Sequence, residues 1–137
     1  MTKINVSYLG DLRTRSTHLQ SGEQIISDAP VDNNGKGEAF SPTDLLATSY
    51  ANCMITIIGI YCQKNNIAFD HCEAHVEKHM TNSPRRIGQL DIELSFKNSN
   101  WSEGEKTRIE KAALNCPVAK SVSSEIQINV SFNYNLK

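Results

Sequence analysis

The sequence predicts an α+β fold with a mostly antiparallel sheet, and three observations carry that prediction. Residues 87–97 and 125–136 alternate apolar and polar side chains with period two, which is the pattern of half-buried strands. Residues 41–65 are instead apolar at spacings of three and four and over most of the circumference, as in a buried helix. Turn signals separate these stretches into the order strands, long helix, hairpin, helices, strand.

The elements follow in order. Residues 3–29 read as β-structure: Ile4, Val6 and Tyr8 alternate with polar residues, Leu9-Gly10-Asp11 and Gln20-Ser21-Gly22-Glu23 are turns, and Gln24-Ile25-Ile26-Ser27 is a short strand. A polar, Gly-rich loop covers 30–41. Ser41-Pro42-Thr43-Asp44 then opens the long helix, with Ser at the N-cap, Pro at the first helical position and an acid in the first turn. Leu46, Ser49, Cys53, Thr56 or Ile57, and Ile60 share one face, Leu45, Ala51, Ile55 and Ile58 fill much of the rest, and Asn65-Asn66 ends the helix. A helix of this kind should be buried on most sides and central to the fold.

Residues 67–80 and 87–97 read as two strands around a turn at Asn82-Ser83-Pro84. Leu90, Ile92, Leu94 and Phe96 alternate with Asp91, Glu93 and Ser95, so one sheet face is buried and one is wet. Ser102-Glu103-Gly104-Glu105 is a capping box opening a helix through Ile109, Ala112, Ala113 and Leu114. Asn115-Cys116-Pro117 breaks it, and Pro117 starts a third, short helix through Val118 and Ser121. The last strand carries Ile126, Ile128, Val130, Phe132, Tyr134 and Leu136 on one face.

At 137 residues the chain fits a single domain, 1–137, able to bury roughly two-thirds of its unfolded surface. Its 39% hydrophobic and 21% charged residues are those of a globular chain. A net charge of −1 supplies no field to gather nucleic acid or anionic lipid, and Arg85-Arg86 beside Pro84 is explained by a turn. Met1 to Val6 lacks the apolar segment of a signal peptide, and the longest apolar run, Met54 to Tyr61, is interrupted by Thr56 and too short to span a bilayer. The expected location is the cytoplasm, with neither a membrane nor a nucleic-acid partner.

In that compartment Cys53, Cys62, Cys72 and Cys116 are reduced at rest and serve as buried filler, metal ligands or redox groups. Their spacings of 9, 10 and 44 form no CxxC pattern, which argues against structural zinc. Cys53 lies about three turns into the long helix and packs equally well as a small hydrophobe. Cys116, just before Pro117, sits at the N-cap of the short helix, where unpaired N–H groups and the helix dipole favour thiolate; an ordinary cap or buried thiol fits the same position. Cys62, nine residues beyond Cys53, points away from it around the helix. Cys72 opens a strand on the face of Ala74 and Val76, and both it and Cys62 read as structural. His71, His75 and His79 share a strand face with Glu73 and Glu77, which a wet sheet face explains without a metal. Neither a cofactor nor a metal is expected.

The stretch Ser41-Pro42-Thr43-Asp44-Leu45-Leu46-Ala47-Thr48-Ser49-Tyr50-Ala51-Asn52-Cys53 resembles the central-helix motif of the OsmC/Ohr superfamily, in which a Pro–acid–Leu-Leu start leads to a helix cysteine. Asn115-Cys116-Pro117-Val118 is similar to that family's Cys-Pro pair opening a late helix, and the 63 positions between the cysteines suit the family. The resemblance implies an intertwined homodimer whose mostly antiparallel sheets wrap around paired central helices. It also implies a thiol peroxidase. Cys53 would attack an organic hydroperoxide, or hydrogen peroxide, and become a sulfenic acid. Cys116 would condense with it to a disulfide, and a dithiol reductant would restore both.

Family members draw a cation for this step from the early strands. Arg15 matches that place and Arg13, on the same strand face, is the second choice. In the hydroperoxide-resistance branch a glutamate follows the motif proline and pairs with the arginine; here Thr43 stands there and Asp44 follows, closer to the broad OsmC-like pattern. Asp44 is also accounted for as a first-turn acid. A non-enzymatic redox-sensing or small-molecule-binding dimer on the same fold is the alternative function.

Overall fold

Alternation in the first thirty residues becomes an antiparallel meander of β1 (Ile4–Gly10), β2 (Arg13–His18) and β3 (Gln24–Asp28), in the order β1-β2-β3. The computed structural model describes residues 1–97 and 100–136, and the chain divides into two compact units, Met1–Leu46 and Ala47–Lys137. The meander belongs to the first. Its β1–β2 turn holds Gly10, Asp11 and Leu12 all at positive φ, a conformation that costs glycine nothing and the other two something. Ile4, Val6, Tyr8, Ile25 and Ile26 alternate or cluster as expected but all lie exposed.

Between β3 and the long helix, the loop folds back on itself. Asn33 and Gly35 N–H groups both donate to the Pro30 carbonyl, and the Asp28 N–H donates to Phe40 O at 2.9 Å. Gly35 lies so close to Ala29 that a Cβ there would sit 1.8 Å from the Ala29 carbonyl oxygen. Helix α1 (Pro42–Lys64) starts where Ser41 and Asp44 cap one another: the Asp44 N–H donates to Ser41 Oγ at 3.1 Å, and the Ser41 N–H donates to Asp44 Oδ2 at 2.9 Å.

The second unit holds most of α1, then β4 (Cys72–Thr81), β5 (Arg86–Lys97), α2 (Glu103–Leu114) and β6 (Gln127–Leu136). β4 and β5 form an antiparallel hairpin, and β6 adds to β5 in parallel, which α2 permits as the crossover. Met54 and Ile58 of α1, Leu90, Ile92, Leu94 and Phe96 of β5, and Ile109 and Ala113 of α2 make one fully buried core. Phe96 is its aromatic centre, with Phe69, Trp101, Phe132 and Tyr134 rings within 6.5 Å of it centroid to centroid. The expected capping box of α2 is formed, Ser102 against Glu105.

Three expectations are corrected. β4 begins at Cys72 rather than 67: Ile67 is drawn back to the helix by its N–H bond to Cys62 O, and Ala68 O accepts from Trp101 Nε1 at 2.9 Å, so 67–71 pairs with no strand. The third helix does not form; after Pro117 there is a single turn closed by Lys120 N–H to Cys116 O and Ser121 N–H to Val118 O. The buried stripe of α1 is Ala47, Tyr50, Ala51, Met54, Ile58 and Cys62, whereas Leu46 and Ile60 on the expected face are 37% and 42% exposed. By length and composition alone α1 is also long and apolar enough to cross a membrane, a test that buried core helices pass as well.

Candidate active site

Cys53 stands in the third turn of α1, half-buried, one turn after Tyr50 and one residue before the fully buried Met54. Cys116 follows directly on the C-cap of α2, Asn115, and is wholly buried. The end of one helix and the middle of another thus bring the two sulfurs together, and the Cys116 thiol lies in hydrogen-bonding reach of Cys53. Both thiols are free.

The turn after Pro117 supplies part of what the sequence suggests: the Ala119 N–H donates to Cys116 Sγ at 3.4 Å. That contact and the Val118 N–H favour the thiolate, but burial outweighs them and pushes the Cys116 thiol up, and the hydrogen bond to Cys53 and Cys53's charge push it further. Of the two readings left open for Cys116, burial favours the buried thiol. A lone turn lacks the aligned peptides of a full helix, and burial disfavours charge.

Tyr50 was not anticipated. Its hydroxyl is pushed up first by burial and then by the charges of Cys116 and Cys53. The signal was available in the sequence, since Tyr50 precedes Cys53 by one helical turn. Cys62 and Cys72 are separate from this pair. Burial raises both thiols, with the Glu105 charge adding to Cys62, and Cys72 is pushed up to about 11 despite a bond to the Ser95 backbone that lowers it.

The remaining expected residues lie in the Met1–Leu46 unit. Arg13 is engaged: it donates to Glu38 at 2.8 Å and to Asp28 at 3.3 Å. Asp28 is buried, and its carboxyl is held below the ordinary range by the Glu38 N–H and then by Arg13. Arg15 pairs through its backbone with Ser7 and Ile26, and its exposed guanidinium has no side-chain partner among the described residues. Thr43 Oγ1 lies 3.2 Å from Ser41 Oγ, and Asp44 spends one carboxylate oxygen on the helix cap.

A family model described as OsmC-like protein matches residues 35–131, a span holding both cysteines. No curated protein matches the chain. A candidate osmotic stress induced and detoxification response protein of Psychrobacter arcticus 273-4 is 49% identical over 97% of this chain and 96% of its own, with a TM-score of 0.91. Two further structures share the fold at 17% identity. The organic hydroperoxide resistance protein OsmC of Legionella pneumophila has a TM-score of 0.74 over 98% of this chain and 97% of its own. The organic hydroperoxide resistance protein OhrB of Bacillus subtilis has 0.69 over 97% and 98%. With two α-helices and two three-stranded sheets among the described residues, paired antiparallel except at β5–β6, and a family match across most of its length, the chain belongs to the OsmC-like family.

Proposed function

We infer that this protein is a thiol-dependent reductase of organic hydroperoxides, working through Cys53 and Cys116. The contact between those two sulfurs carries the reading, because nothing in the packing of a core requires two cysteines so far apart in sequence to meet. Family membership and the names of the Legionella and Bacillus proteins point the same way.

In the first step the Cys53 thiolate attacks the distal peroxide oxygen. The O–O bond breaks, Cys53 becomes a sulfenic acid, and the alkoxide leaves as alcohol after taking a proton. Cys116, whose thiol burial pushes up, enters the second step as S–H. Its sulfur displaces the sulfenic oxygen, which leaves as water with the Cys116 proton, and a disulfide forms. A dithiol then reduces the disulfide by two exchanges and is itself oxidised. Arg15 is the cation assigned to the peroxide, since Arg13 is committed to Asp28 and Glu38. The working form is a homodimer in a reducing cytoplasm. Support for the dimer comes from apolar side chains left open on each unit, Ile4, Val6 and Tyr8 on one and Ile60 on the other.

A second reading is a redox-sensing dimer whose thiols oxidise without rapid turnover. It is favoured by Thr43 at the position of the branch's glutamate and by the use of Asp44 as a cap. One experiment separates the two. Reduced protein receives one equivalent of cumene hydroperoxide, and its thiols are counted by mass. A Cys53–Cys116 disulfide within seconds, with dithiothreitol-driven turnover lost in Cys53→Ser, is the peroxidase result. Slow, scattered oxidation of all four cysteines rejects it.

A further inference from the structure

The outer face of the β4–β5–β6 sheet brings together side chains that the thiol chemistry does not use. β4 presents His75, Glu77 and His79 on this face, and the register sets Glu77 directly opposite Asp91 of β5, and His75 opposite Glu93. Two carboxylates facing one another across a strand pair repel, and a cation between or beside them relieves that repulsion. The nearest candidate is His79, whose Nε2 is 2.8 Å from Asp91 Oδ2 and 4.0 Å from Glu77 Oε2. The groove along this face is about 350 Å³, and its lining includes Glu77, Asp91 and Glu93 but neither Lys nor Arg.

We propose that Glu77, His79 and Asp91 form a binding site for one divalent transition-metal ion. One ligand atom from each, a ring nitrogen and two carboxylate oxygens, lies within 4.8 Å of the others. Tetrahedral ligands at about 2.0–2.2 Å from zinc stand roughly 3.3–3.6 Å apart, so the observed 2.8 and 4.0 Å bracket the required spacing and side-chain rotation alone closes it. Imidazole with two carboxylates is a donor set for zinc and its first-row neighbours rather than for calcium or magnesium.

The supporting contacts are those of a held ligand. Asp91 accepts from Gln89 Nε2 at 2.9 and 3.0 Å and from Asn129 Nδ2 at 2.8 Å, which fixes the carboxylate from β5 and β6 and keeps it ionised. Glu77 Oε1 lies 3.4 Å from His75 Nε2, so a second imidazole borders the site and can supply a fourth ligand where water does not. Sequence spacing alone hides this set, because Asp91 joins it only through the hairpin register and Asn129 only through the parallel pairing of β6.

The test is calorimetric titration of the reduced full chain with zinc chloride, backed by the imidazole signals of the four histidines in NMR. About one zinc per chain is expected, with the His79 signals moving. His79→Gln and Asp91→Asn should each weaken binding more than tenfold, and Asn129→Ala by about tenfold as loss of a supporting contact. These residues are surface-facing, and unchanged circular dichroism verifies folding. Cys53→Ser should bind as the parent does. Equal affinity in His79→Gln and Asp91→Asn, loss of binding in Cys53→Ser, or no heat at millimolar zinc would overturn the proposal. None of these outcomes bears on peroxide turnover, so the two readings stand or fall separately.

Discussion

Cys116 has no exposed surface, and its thiol is pushed up first by burial and then by Cys53, 63 positions earlier in the chain. The two sulfurs are therefore unequal before any oxidant arrives. Cys53 is half-buried and reachable, whereas Cys116 is sealed and its thiol is pushed up. An attacking thiol and a resolving thiol need that inequality.

Removing Cys53 should make Cys116 more acidic. Both contributions of Cys53, the hydrogen bond and the charge, raise the Cys116 thiol, and their loss lowers it while burial and the Ala119 N–H stay in place. The alkylation rate of Cys116 as a function of pH, read by peptide mass in Cys53→Ala and in the parent, measures the change. A midpoint in Cys53→Ala equal to or above the parent's would contradict the raising influence of Cys53 on the Cys116 thiol.

The two arginines of β2 should respond in opposite ways. Arg13→Met strips the buried Asp28 of its cation and should lower the unfolding midpoint. Arg15 has no side-chain partner among the described residues, so Arg15→Met should leave the midpoint near the parent's. If Arg15 faces the peroxide, as the proposed function has it, kcat/KM falls by about a hundredfold or more. Parallel thermal melts and peroxide assays decide it. Full activity in Arg15→Met would remove Arg15 from the site.

How much of this was legible depends on whether the signal was local. Period-two alternation in β5 and β6, the capping box at Ser102 and Glu105, and the Ser41–Asp44 cap depend on neighbours a few residues away, and all are formed. The buried stripe of α1 was not legible, because a helix apolar nearly all round does not say which side its own chain covers. Nor was the state of Cys116. Its position after a helix break is local, but its burial under α1 is not, and burial decided the outcome. Arg13 followed the same rule: its partners Asp28 and Glu38 lie 15 and 25 residues away.

Phe96 should be the most costly single truncation in the second unit. Its ring is fully buried and meets four other aromatic rings, so Phe96→Ala leaves a void that β5 cannot close without breaking pairings to β4 and β6. A loss of about 3–5 kcal/mol is expected from urea unfolding. A loss under about 1 kcal/mol would mean that the aromatic cluster is not the centre of this core.

Alkaline pH should unfold the protein by way of its buried acids. Cys62, Cys72, Cys116 and Tyr134 all hold their protons more tightly folded than an unfolded chain would, burial being the first cause in each. A group whose folded value is raised stabilises the fold fully below its unfolded value, and that stabilisation is lost as pH climbs through the folded one. For a thiol the loss starts near the ordinary value of 9.0, and for Cys72 it runs on to about 11. The urea midpoint should therefore hold steady up to about pH 9 and then decline across the next two units. Cys72→Val removes one of the titrating groups from the half-buried start of β4, so its decline should be shallower than the parent's. Identical slopes, measured under reducing conditions to keep disulfides from forming, would show that the Cys72 thiol is not held protonated by the fold.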